Sequence, residues 1–148
     1  YVSGGVMRAF VVGIAVFLVT TFFTDIPIYN IWLVILITFL TAFLFSTAGF
    51  INAVYAKSFD DINIVTTFVL TPLTYLGGTF YSIEALPQVW QDISIFNPIA
   101  YIISSYRLAF LGLEETSLVL SLIIIIILII ILFIAALMIL SRGIGIKN

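Results

Sequence analysis

The sequence predicts an all-α membrane protein, with four transmembrane helices and a re-entrant or surface-lying helical hairpin on the outer side before the last of them. Three observations predict this. The chain is 64% hydrophobic and 8% charged over 148 residues, where an ordinary soluble domain is about 25% charged. A chain this short keeps a large share of its surface exposed in water, so it cannot hide that much apolar area. Its apolar residues also fall into long runs between short polar breaks, and a membrane-crossing helix needs about 20 of them.

The same composition narrows the function. A net charge of -2 argues against nucleic acid or a strongly charged surface as partner. There is no cysteine and no histidine, which removes thiol chemistry and the commonest general base and metal ligand. The serines have no base to serve, so an intramembrane enzyme is the weakest reading. No glycines stand in the spacing that cradles nucleotide phosphates, so no ATP site is expected in this chain. The chain begins at Tyr1 without a basic leader or small-residue cleavage site, and is expected to be a fragment lacking its N-terminal part.

Five runs follow one another. Run A covers Val6 to Phe23, and run B covers Ile31 to Ala56. Asp25, Pro27 and Asn30 punctuate the turn between them. Run C covers Ile62 to Tyr81, after the charged turn Lys57-Ser58-Phe59-Asp60-Asp61. Ser58 and Asp61 have capping-box spacing, which starts a helix there. Pro72 removes one helical hydrogen bond, and Gly77-Gly78 follow near the end of the run. Such a break is tolerated where protein surrounds it, so run C is expected to face neighbouring helices. Run E covers Leu118 to Leu140, and 19 of its 23 residues are Leu, Ile, Phe or Val. That is worth about −6 to −11 kcal/mol for insertion. Its isoleucines favour strands in water, but in lipid only a helix satisfies the backbone of a lone segment.

Run D, Ile93 to Leu111, is broken by Asn97-Pro98 and carries Arg107. An arginine near mid-span costs about +2.5 to +3.5 kcal/mol. Pro87 to Ile95 reads as a separate short interfacial helix, with Leu86, Trp90 and Ile93 on one side and Gln88, Gln91 and Asp92 on the other. If run D does not cross, Arg8, Lys57, Arg142 and Lys147 all lie on the cytoplasmic side with the C-terminus. The positive-inside rule favours this arrangement. Run D is then a hairpin on the outer side, ending at Gly112 as a C′ residue.

The residues that follow run B now carry a resemblance. They are Phe59-Asp60-Asp61; then the stretch from Thr67 through Pro72, Gly77 and Gly78 to Ser82; then Leu86-Pro87, Asn97-Pro98-Ile99-Ala100-Tyr101, and Tyr106-Arg107 before Gly112. This pattern closely resembles the ABC-2 type transporter permeases, the membrane subunits of a class of bacterial ABC exporters. It extends over residues 1–148 as one transmembrane domain. Thr79 departs from it, where a small aliphatic residue or glycine is more usual.

The resemblance implies six spans, of which this chain holds the third to the sixth, and a hairpin between the last two. It implies that two spans and the main coupling helix are missing. It implies a second permease copy, forming a homodimer, and a cytoplasmic ABC ATPase subunit that binds ATP and Mg. This chain itself would hold no cofactor. It implies a bacterial inner membrane, in contact with lipid, and a lipid, polysaccharide or hydrophobic drug-like compound as cargo.

Candidate residues each have a plain alternative. Lys57, Asp60 and Asp61 form a candidate ATPase-contact loop; equally, Lys57 anchors the membrane boundary and the aspartates cap run C. Pro72, Gly77 and Gly78 form a candidate hinge or helix break. Leu86, Pro87, Asn97, Pro98, Tyr101 and Arg107 mark the hairpin. Arg107 has Glu114, Glu115 or lipid phosphate as candidate partners, in a structural pair or in gating. Tyr75, Phe80, Tyr81, Trp90 and Tyr101 read as an interfacial belt or an exit lining. Two other functions stay open: a membrane interaction module without transport, and a secondary transporter. The latter usually buries acids in its spans, and runs A, B and E contain none.

Overall fold

The structure, a computed structural model, describes residues 1–79 and 83–144. Its elements are α1 (Val2–Thr21), α2 (Ile31–Tyr55), α3 (Phe59–Val65), a π-helical turn (Thr66–Leu70), α4 (Thr71–Leu76), a 3-10 turn (Ile83–Ala85), α5 (Gln88–Ser94), α6 (Pro98–Leu111) and α7 (Leu118–Ser141). No strand occurs among the described residues. The protein is all-α. Helices α1, α2 and α7 are each long and apolar enough to cross a membrane.

The run expected as a fourth crossing forms three consecutive pieces, none of them long enough to cross alone. Ser58 opens it with the predicted capping box: its hydroxyl accepts from the Asp61 N–H, and the Asp61 carboxylate accepts from the Ser58 N–H. Pro72 cannot donate to the carbonyl one turn back. The helix widens into the π turn just before it, where the Thr71 hydroxyl also donates to the Thr66 carbonyl at 3.2 Å. From Phe59 to Leu76 the run rises about 27 Å, close to the ~30 Å of a bilayer's hydrocarbon.

Helix α2 is the centre of the bundle, packed against α1, α6 and α7. The core is Leu44, Ile102 and Ile125, with Leu40, Tyr106 and Leu132 against them. Small hydroxyls, Thr47, Ser104, Ser105 and Ser121, are buried around it. They let helix backbones approach closely, as membrane interfaces require.

The hairpin does not cross the bundle. The Tyr29 and Asn30 N–H groups, in the α1–α2 turn, donate to the Phe110 and Ala109 carbonyls at the end of α6. Gly112 closes α6 in the left-handed conformation at φ 71°, as expected. Further down, Tyr106 meets Thr38 and Ile102 packs near Leu44, about 20 Å along α2 from its start. Asn97 is a turn deeper still. The hairpin is therefore re-entrant. Helix α5 is its other arm, running from a cleft that Glu84 shares with Glu115 and Thr116 down to Ser94 near the tip. Its polar face is not uniform as expected. Gln88 and Asp92 are exposed and bonded to each other at 3.0 Å, but Gln91 turns inward and donates to the Glu84 and Leu86 carbonyls.

Helices α2 and α7 start at the same end and run parallel, with Phe43 on Phe133 at 5.9 Å. Lys57 and Arg142 consequently share the opposite end. Arg8 does not join them there as expected. Gly5 abuts Ser46, which sets Arg8 level with the middle of α2. Lys147, Phe80 and Tyr81 lie outside the described residues.

Candidate functional site

Two places gather the predicted residues. The first is the α2–α3 turn. Asp61 accepts from the backbone N–H groups of both Lys57, at 2.9 Å, and Ser58, at 3.1 Å. Its carboxylate is committed to the turn. Asp60 differs: it is exposed and makes no hydrogen bond among the described residues. Phe59, 88% exposed, projects beside it, and the Lys57 side chain is exposed too. The turn is held rigid, because Asn52 of α2 donates to the Ile62 carbonyl at 3.3 Å. Lys57, Phe59 and Asp60 thus form an outward-facing cluster on a fixed base.

The second place is where α4 ends against the hairpin. A helix leaves its last carbonyls without intrahelical partners, and inside a membrane water does not satisfy them. Here the hairpin does. The Asn97 amide donates to the Leu73 carbonyl at 2.7 Å. The Ser94 hydroxyl donates to the Leu76 carbonyl at 3.1 Å. The Arg107 guanidinium donates to the Gly78 carbonyl. Three hairpin side chains therefore cap one broken helix.

Local sequence places each of them. Pro87 is the N-cap of α5 rather than its first helical residue, and its carbonyl accepts from Trp90 and Gln91. Leu86, just before it, is half-buried. Asn97 and Pro98 are the N-cap and first residue of α6, with the Asn97 side-chain oxygen accepting from Ile99 N–H at 3.0 Å. Tyr101 donates its hydroxyl to the Ile95 carbonyl at 2.8 Å, pinning the hairpin tip. At Gly77 an added Cβ would lie 3.0 Å from Ile99 and 3.2 Å from Ile103, so glycine permits the close approach of α4 to α6. Gly78 takes φ 84°, a left-handed turn that only glycine adopts without strain. Pro72 is exposed on α4.

Arg107 is paired with Glu115, its Nη1 donating to both carboxylate oxygens at 3.0 and 2.8 Å. The side chains are 21% and 34% exposed. Of the two acids weighed for it, Glu115 is the partner. Glu114 instead accepts from Leu118 N–H at 3.4 Å, at the start of α7.

Sequence reasoning missed the capping role of Ser94, because nothing in a lone serine shows which carbonyl it meets. It also missed the π turn and the Tyr106–Thr38 hydrogen bond of 3.0 Å. The threonines at 66, 67 and 71 before Pro72 were the available signal for an irregular turn, since their hydroxyls can follow a displaced carbonyl. Among the described residues no group of acids is placed to hold a metal.

The fold thus defines a membrane-embedded helical bundle with a clasped re-entrant hairpin, and the comparisons give its class. Residues 1–111 match the family model "ABC-2 type transporter". The chain belongs to the ABC-2 type transporter family, whose members are membrane subunits and not themselves catalytic. It is 45% identical, over all of its 148 residues, to the "Inner membrane transport permease YadH" of Escherichia coli strain K12, covering 58% of that protein. It is 31% identical over 88 residues, 57% of this chain and 34% of the relative, to "Nodulation protein J" of Rhizobium leguminosarum bv. viciae. A Sinorhizobium fredii protein of the same name is 32% identical over 72 residues, 49% of this chain and 28% of the relative. No solved structure matches. The chain spans about three-fifths of the length of its first curated relatives.

Proposed function

We propose that this chain is the larger part of a permease subunit of an ABC exporter in a bacterial inner membrane, driven by a separate ATPase subunit that binds ATP and Mg. Family membership over residues 1–111 carries the transporter class. The geometric support is the face of α3, the π turn and α4. Asn63, Thr66, Thr67 and Thr71 are exposed along it, inside the run expected as a membrane crossing. The Thr66 and Thr71 hydroxyls bond back to carbonyls of their own helix, and the Asn63 amide and Thr67 hydroxyl are the polar groups that favour protein or a water-lined path over lipid.

The occupant of that face is a second copy of the chain, and the path for a lipid, polysaccharide or drug-like cargo follows the seam. Closure of the ATPase dimer reaches the permease partly through Lys57, Phe59 and Asp60. The C-terminus lies on that same cytoplasmic side. The clasp of the hairpin on α4 makes those two elements one body at the outer end. Opening then means moving the whole body against its partner, a two-state motion biased by nucleotide. An ion-driven transporter fits less well, because the described spans bury no acid.

The seam is directly testable. Thr67→Cys and Thr71→Cys, introduced into a full-length protein otherwise free of cysteine, form a disulfide dimer under mild oxidation. Cysteine at the lipid-facing position Val119 of α7 does not. If only Val119→Cys cross-links, the seam lies elsewhere.

A further inference from the structure

Between Ile62 and Leu73 the broken run is pinned at its two ends and nowhere else. At one end the Ile62 carbonyl accepts from the Asn52 amide of α2. At the other the Leu73 carbonyl accepts from the Asn97 amide of the hairpin. Among the described residues no hydrogen bond joins residues 63–72 to another element. The hydroxyls of Thr66, Thr71 and Thr74 all donate back to carbonyls of the run itself. Residues 63–69 are all exposed. They make about two helical turns, so the bundle of this chain grips that stretch on no side.

The π turn lies inside this free stretch. Its Thr66 carbonyl accepts from the Thr71 N–H, five residues on, where an α-helix uses the residue four on. The turn therefore winds in one residue more than the α register needs. The Thr71 hydroxyl supports the wide turn by donating to the same Thr66 carbonyl, and Pro72 has no N–H with which to tighten it. The glycines of the candidate hinge lend no such freedom. Gly77 abuts Ile99 and Ile103, and the Gly78 carbonyl is held by Arg107.

We infer that this stretch is a strap, and that the extra residue of the π turn is its slack. When the turn tightens to the α register, the slack passes into length. A strap fixed at both ends then bows sideways at its middle, and Thr67 and Phe68 ride on that middle. A bend of about 20° over the ~8 Å from pin to middle displaces them by about 3 Å. The consequence for transport rests on the seam proposed above: the bow moves Thr67 and Phe68 against the second copy and changes the width of the path, while α4 stays clasped to the hairpin. The wide and tight registers are two states of one element, which a partner can bias.

The test is a set of spin-label distances in the full-length protein, otherwise free of cysteine, in bilayer discs. Each labelled chain is diluted with unlabelled copies, so that only distances within one chain are read. One pair is Phe68→Cys with Val119→Cys of α7, and the control pair is Tyr55→Cys with the same reference; all three positions are exposed. The Phe68 pair is expected to give a distance distribution about 3 Å broader than the control. Pro72→Ala, which returns the missing N–H, narrows it to the control width. Deletion of Thr67, which removes the extra residue, does the same with both pins kept. A wild-type Phe68 pair as narrow as the control overturns the inference, because the strap then does not move. A pair that stays broad in both variants also overturns it, because the slack then lies outside the π turn. Adding any ATPase encoded beside the permease, with ATP and magnesium, separates the strap from the exporter reading. A shift of the Phe68 pair supports both. A broad, slack-dependent Phe68 pair that ignores nucleotide upholds the strap and counts against the exporter reading.

Discussion

The side-chain amide of Asn97 donates to the carbonyl of Leu73 at 2.7 Å, while its side-chain oxygen accepts from Ile99 N–H. One residue therefore ends α4 and starts α6. Asn97→Ala removes both bonds and is expected to cost about 2 kcal/mol. Asn97→Asp keeps the N-cap acceptor but loses the donor to Leu73. In a simple N-cap aspartate serves as well as asparagine, so failure of Asp to restore the midpoint of thermal unfolding identifies the cross-helix bond as the important one. Full recovery with Asp would reduce Asn97 to an ordinary cap.

Arg107 and Glu115 should be coupled. A double-mutant cycle on Arg107→Ala and Glu115→Ala is expected to give about 1 kcal/mol, modest because both side chains are part-exposed. Arg107→Ala alone costs more than Glu115→Ala, because it also leaves the buried Gly78 carbonyl without a donor. Equal single losses in unfolding midpoint would show that the Gly78 contact contributes nothing.

The two aspartates of the α2–α3 turn should separate. Asp61→Ala loses the capping box, at about 1 kcal/mol of stability. Asp60→Ala leaves the unfolding midpoint unchanged but lowers stimulation of the partner ATPase. A stability loss at Asp60 equal to that at Asp61 would place both residues in the cap and neither in coupling.

Gly78→Ala is expected to cost about 1–2 kcal/mol, because alanine is strained at a φ of 84°. Gly77→Ala forces Ile99 and Ile103 apart and should loosen the hairpin. Faster hydrogen exchange at residues 94–104 than in wild type would report it, and unchanged protection there would contradict the clasp.

Much of this was legible in the sequence for identifiable reasons. Runs A, B and E are long and apolar, and lipid leaves each a single backbone solution. Ser58–Asp61 and Gly112 are local signals, decided within one turn of chain. Asn97-Pro98 likewise announced the start of α6. The deep re-entry of the hairpin was not legible as such. It depends on Asn97, Ser94 and Arg107 finding the carbonyls of α4, contacts between residues up to 29 apart in sequence. The π turn was hidden for another reason. Pro72 signals a break, but where the helix relaxes depends on the threonines before it. Arg8 was assigned by charge alone to the Lys57 end, and only the packing of Gly5 on Ser46 sets its depth.

The central claim is that a separate ATPase drives this permease. The full-length protein is purified in lipid together with any ATPase encoded beside it, and ATP hydrolysis is measured with and without the permease, and with Asp60→Ala. The two proteins are expected to co-purify, the permease to change the hydrolysis rate, and Asp60→Ala to weaken the change. If no ATPase associates and hydrolysis is indifferent to the permease, the exporter reading is contradicted, and the chain is better regarded as a membrane interaction module.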